Sequence, residues 1–230
     1  MVKRVTILFL VLLLANFISV SLLHSSDYKG ENIIYAIHPL GGRAVYTDLG
    51  MVELESRKLR LVTFTTDTLG FHDSEKIYCD PKTMLPFKVE RNVSWWFGKE
   101  YIIEDYDQSN FTLTIKKFRG KRKINEQILK SNGPIYNAIL LPLYPRSIPK
   151  LDIGWSFVFR LPQEFEVKLV SVDEIKIAGK KFNAYHFISN PDKFEIWINK
   201  DNPLEPLKIK GKGSFKYSLS MKEYDLKPQE

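Results

Sequence analysis

If this chain performs chemistry, it has few side chains to do it with. Its four histidines are His24, His38, His72 and His186, and no pair has the spacing that turns two imidazoles toward one metal ion. The lone cysteine, Cys79, lies between Tyr78 and Asp80. It has no partner for an intramolecular disulfide and reads as a small apolar strand residue rather than a nucleophile. Glu104 and Asp105 are adjacent in an alternating segment, so they point to opposite faces and make a poor acid–base pair. His186, between Tyr185 and Phe187, reads as a packed or surface side chain. A nucleophile elbow, a phosphate loop and a dinucleotide fingerprint are all missing from the sequence, and Gly41-Gly42 is too short to cradle phosphate. The expectation is a protein that is not an enzyme and uses no cofactor or metal.

Aromatic side chains are plentiful instead. Fifteen Phe, eleven Tyr and four Trp occur in 230 residues, 44% of which are hydrophobic. In a β protein such residues form the core and cross-strand pairs, or they line an apolar cavity. On the second reading Trp95, Tyr136, Leu140, Leu143, Trp155 and Trp197 are the candidate ligand-binding residues. The formal net charge is +7, and the only dense basic run is Lys116 to Lys123. That run reads as a solvated hairpin tip or as a contact for a phosphate-bearing surface. It lacks the spaced aromatic platform of single-strand binders, so nucleic acid is not an expected partner.

The elements that would position these residues are strands. One phrase occurs twice, as Ile77-Tyr78-Cys79-Asp80 leading to Pro86-Phe87-Lys88-Val89, and as Ile196-Trp197-Ile198-Asn199 leading to Pro206-Leu207-Lys208-Ile209. In each, an apolar–aromatic strand ends at Asp or Asn, whose side chain can close a turn onto the backbone. Each re-enters a strand at Pro, which is tolerated at a first strand position. Extended segments continue on both sides: Ile33–Ile37, Arg43–Leu49, Val52–Ser56, Leu59–Thr68, Tyr101–Tyr106 and Phe111–Ile115, then Ser156–Leu161, Phe165–Val170 and Ser214–Tyr224, with Ile175–Phe182 a hairpin turned at Ala178-Gly179-Lys180. Ile124–Lys130 fits either a strand or a short helix. Asn132–Pro145 is the best helical candidate, with Pro134 near its start and Pro142, Pro145 and Pro149 ending it. It reads as a core plug or as a lid over an apolar cavity. The predicted fold is mainly β: a single curled antiparallel sheet, half-barrel or sandwich, with one or two short helices in the middle.

At the N-terminus Lys3 and Arg4 precede the apolar run Val5–Ala15, and Ser19-Val20-Ser21 supplies small residues at a cleavage site. Residues 1–21 are therefore predicted to be a signal peptide, with an uncleaved N-terminal anchor as the alternative. Residues 27–230 are predicted to form a single β domain in the periplasm or cell envelope.

The order of these motifs resembles the bacterial envelope family known as domain of unknown function 3108. Gly30-Glu31, the Gly41-Gly42 break and the Tyr78–Pro86 turn carry the likeness, with Leu140–Pro145, Asp152-Ile153-Gly154-Trp155 and the Trp197–Ile209 phrase after them. The last phrase is also similar to the tryptophan–turn–proline strand of LolA-like lipoprotein carriers. The resemblance implies an exported β protein without an assigned activity, and a curved sheet whose concave face holds an apolar ligand under a helical lid. The functional expectation is a non-catalytic envelope protein that binds a lipid-like ligand. The alternative is a structural or assembly factor that contacts an envelope protein partner.

Overall fold

The computed structural model describes residues 30–148, 150–202, 205–213 and 216–226. The predicted signal segment lies outside these residues, as do Pro203 and Leu204 of the second turn phrase.

Fourteen antiparallel strands form one sheet. In chain order they are β1 (Glu31–His38), β2 (Arg43–Leu54), β3 (Arg57–Thr68), β4 (Phe71–Cys79), β5 (Pro86–Trp95), β6 (Gly98–Asp107), β7 (Thr112–Arg119) and β8 (Arg122–Lys130), followed by β9 (Ser156–Arg160), β10 (Glu164–Ile177), β11 (Lys180–Asn190), β12 (Phe194–Asn199), β13 (Pro206–Gly211) and β14 (Tyr217–Leu226). Every strand pairs with its neighbour in sequence, except that β1 joins β14 in the centre, leaving β8 and β9 at the two edges. Two meanders are thus sewn together through the first and last strands, and the mainly β, antiparallel expectation holds.

The turn chemistry follows the sequence. Asp80 accepts hydrogen bonds from the backbone N–H of Lys82 (3.0 Å) and Thr83 (2.7 Å) and from the Thr83 hydroxyl (2.9 Å). Those bonds hold its carboxyl below the usual carboxylate range despite partial burial. In the second phrase Asn199 accepts from Asp201 N–H at 3.0 Å. The returning strands begin at Pro86 and Pro206.

Two elements differ from expectation, and a third that fitted either strand or helix is settled as strand. Arg43–Leu54 is one strand rather than two, because the corner at Gly50 is a bulge between Asp48 and Met51, with Gly50 N–H on the Asp48 carboxylate at 2.8 Å. Ile124–Lys130 belongs to edge strand β8. The helical candidate starts late: Asn137 caps a 3₁₀ helix over Ala138–Ser147 by accepting from Ile139 N–H at 2.9 Å. Pro142 and Pro145 lie inside this helix instead of ending it. Before it, the chain is extended, and Ile135 makes a parallel bridge to Arg160 on edge strand β9. Gln108, in the β6–β7 turn, bonds both the N–H (3.1 Å) and the C=O (2.8 Å) of Ile135. The segment from Asn132 to Tyr136 therefore links the β6–β7 turn to edge strand β9.

The 3₁₀ helix is a plug. Leu140 and Leu143 join the larger core cluster with Ile33, Tyr35, Tyr46 and Val62. Leu141 joins a second cluster with Leu169, Phe187 and Ile196 from the other meander. A Leu→Ala change at such a site typically costs about 2–5 kcal/mol. The plug is held at the sheet end where β2–β3, β4–β5 and β6–β7 turn, since the Tyr144 hydroxyl donates to the Met84 carbonyl at 2.9 Å.

Candidate functional site

The expected ligand residues fall into four places. Leu140 has no exposed surface and Leu143 is buried, both inside the plug, so a ligand could reach them only by displacing it. Trp95 lies at the opposite end of its meander, edge-on to Phe71 with centroids 5.3 Å apart. Trp197 is buried and belongs to the larger core cluster, with its ring stacked on His186. Only Tyr136 and Trp155 come together.

They meet in an aromatic seam along edge strand β9. Gly154, at φ +96°, turns the chain into β9, and Leu169 N–H bonds the Trp155 carbonyl at 2.8 Å. Residues 157 and 159 are two apart and share a face, and the register sets Phe165 opposite Phe159. The rings form a row. Trp155 lies parallel to Phe157 (6.3 Å, 7°), Phe157 to Phe159 (6.2 Å, 27°), and Phe159 to Phe165 (6.3 Å, 26°) and Phe194 (6.1 Å, 25°). Tyr136 meets Phe157 and Tyr144 edge-to-face at 5.6 and 5.2 Å, and its N–H bonds the Arg160 carbonyl at 2.8 Å. Phe159 is buried, whereas Tyr136, Trp155, Phe157, Phe165 and Phe194 each keep part of their surface open. The sequence reading missed Phe157, Phe159, Phe165 and Phe194 as site residues. The Phe-x-Phe spacing was a usable signal, but the return of Phe165 and Phe194 to the same row needs the strand pairing.

Trp197 stacks on His186 with centroids 4.3 Å apart and donates its indole N–H to Asp173 at 3.3 Å. Ser171 and Asp173 complete a serine–histidine–aspartate trio. Its geometry is not that of a nucleophile relay, which requires the serine and the carboxylate on opposite ring nitrogens. Here Asp173 lies 3.0 Å from His186 Nδ1, and Ser171 Oγ approaches the same nitrogen at 3.4 Å while donating to Asp173 at 2.7 Å. His186 Nε2 instead faces Glu195 at 3.8 Å. The bond from Ser171, with those from Trp197 and His186, holds the Asp173 carboxyl below its ordinary range.

A charged network crosses β4, β5 and β6 on the plug-facing side of the sheet. Arg91 Nε lies 2.9 and 3.0 Å from the two Asp73 oxygens and 3.4 Å from Glu75. Tyr106 donates to Glu104 at 2.6 Å. Burial pushes the Glu75 carboxyl up to about 7 against the opposing pull of Arg91. As expected, Glu104 and Asp105 part company, with Asp105 bonded to Lys116 on the other face (2.8 Å). Cys79 is buried and its thiol is pushed up to about 12, chiefly by that burial. Among the described residues no cluster of three His, Cys, Asp or Glu side chains is arranged for a metal ion.

An open, strongly curled antiparallel sheet around an internal plug defines a barrel-like β protein. In that class, the chain is similar to the crystal structure of a β-barrel-like protein of domain of unknown function DUF1849 from Brucella abortus. The likeness has a TM-score of 0.51 at 8% identity and covers 87% of this chain and 98% of that one. At this identity the likeness concerns the fold alone. No protein-family profile matches the chain, and no curated protein does.

Proposed function

We propose that this is a non-catalytic, exported cell-envelope protein that holds an apolar or amphipathic, lipid-like ligand along the aromatic seam. The observation that carries the reading is the half-open row Trp155–Phe157–Phe165–Phe194, walled by Tyr136 and Tyr144. Rings left partly exposed in this way gain about 25 cal/mol for each Å² that an apolar chain covers. The interior of the sheet is occupied by plug leucines, so the ligand lies in the seam beside the plug. Lys3-Arg4 and the apolar run after them support export, and the order of motifs like that of the domain-of-unknown-function 3108 family fits an envelope protein.

The test is uptake of a fluorescent fatty acid by delipidated protein. Saturable binding is expected, weakened about tenfold or more by Trp155→Ala/Phe157→Ala, since a covered aromatic ring is worth about 1.5–3 kcal/mol. Well-folded protein that takes up no probe would defeat the proposal. A second reading, an assembly factor acting through protein contacts, is favoured by the unpaired edge of β8, where Ile124 and Ile128 are exposed. Charged neighbours on that strand blunt the edge, which is why we place this reading second.

A further inference from the structure

The end of the first meander away from the plug carries a separate apolar feature. The β1–β2, β3–β4, β5–β6 and β7–β8 turns all stand at this end, because successive strands alternate in direction. Adjacent turns are about 10 Å apart, two strand spacings. Three of the four present large apolar groups to solvent: Leu40 is 67% exposed, Leu69 88%, Trp96 72% and Phe97 96%. The rim is built, not frayed. A Cβ on Gly70 would lie 1.6 Å from Trp96 Nε1, so the indole lies directly across the β3–β4 turn and ties it to β5–β6.

The fourth turn, next along the rim, is basic. Arg119, Lys121, Arg122 and Lys123 are all exposed there. The acidic groups near this end are engaged. Glu100 pairs with Arg119 (3.0 Å) and Lys117 (3.6 Å), Asp67 with His72 (2.5 Å) and Arg43 (3.8 Å), and Glu126 with Lys123. Lys99, Lys121 and Arg122 make no ion pair among the described residues, so positive charge stands beside the aromatic edge.

Apolar turn tips with tryptophan among them, flanked by free cations, match the layering of a lipid interface: rings at the headgroup–acyl boundary, ammonium and guanidinium groups at the phosphates. The feature is a row of exposed turn tips, which suits a deformable surface better than a grooved protein partner. We infer that this rim docks the protein on an anionic lipid bilayer, with Leu69, Trp96 and Phe97 entering the interface and Lys121 and Arg122 on the phosphates. The rim is separate from the aromatic seam, and the inference does not depend on it.

The test mixes the full chain with vesicles of zwitterionic lipid, or of the same lipid with a third of phosphatidylglycerol, both brominated in the acyl chains. Tryptophan emission is then read. Quenching and a blue shift are expected on anionic vesicles, falling as salt is raised. Leu69→Ser/Phe97→Ser keeps every tryptophan and should lose at least half of the quenching. Lys121→Glu/Arg122→Glu should weaken the anionic preference about twenty-five-fold or more, because each cation near such a surface is worth about fivefold in partitioning and the pair removes two. Both substitution pairs are on exposed turns, and an unchanged melting temperature confirms folding. No quenching on any vesicle, or the same quenching in wild type and both variants, would overturn the inference.

Discussion

Arg146 and Glu31 meet end to end: two guanidinium nitrogens lie 2.7 Å from the two carboxylate oxygens, and neither side chain has more than 7% of its surface exposed. Arg146 comes from the last turn of the plug and Glu31 opens β1, the strand that joins the two meanders. The pair fixes the plug to the centre of the sheet. Removing one partner of a buried pair leaves a charge without compensation and typically costs about 3–5 kcal/mol.

Arg146→Met should therefore lower the unfolding free energy by about that amount in a denaturant titration. Glu31→Leu/Arg146→Met, which removes both charges, should recover most of the loss. A single substitution that costs under about 1 kcal/mol would show that the pair does not hold the plug.

Glu75 makes stability depend on pH. Its native carboxyl is raised from 4.5 to about 7. Between those values the folded protein keeps a proton that the unfolded chain releases, so stability falls as pH rises. This contribution is complete below about 4.5 and is lost as the pH passes about 7. Going from pH 5 to pH 8, wild type should lose on the order of 2 kcal/mol more than Glu75→Gln. Parallel stability–pH curves for the two proteins would contradict this.

The β2–β3 turn is made by Glu55 and Ser56 at φ +51° and +61°, both in the left-handed region without a glycine. A non-glycine residue there costs about 1 kcal/mol or more. Ser56→Gly should accordingly raise stability by about 0.5–1 kcal/mol, read as a higher melting temperature, after the entropy of the unfolded glycine is set against the relief. A drop in melting temperature would count against the strain.

The same turn shows where the sequence was silent. Ala178-Gly179 announced its hairpin, and Asp80 and Asn199 announced theirs, because those side chains have local backbone chemistry that can be read without the fold. Glu55-Ser56 carries no such mark, and Val52–Ser56 read as strand. Alternation gave most strands and the starts at Pro86 and Pro206, since period two is a local property. The bulge at Asp48–Met51 and the late start of the plug were set by distant partners, Arg60 (2.8 Å from Asp48) and Gln108 among them. The candidate site was half legible for the same reason. Tyr136 and Trp155 stood out by type and place, but the seam is completed by strands β9, β10 and β12 converging. Leu140 and Leu143 were legible as apolar, yet only packing shows them filling the interior.

The most direct test of the ligand proposal is a photoactivatable fatty acid, cross-linked to the folded protein and mapped by peptide mass spectrometry. The account predicts label on the peptides holding Tyr136 and Leu151–Leu161, competed away by unlabelled fatty acid. Label confined to the Leu69 and Trp95–Phe97 turns, or spread over the surface without competition, would contradict a ligand in the seam.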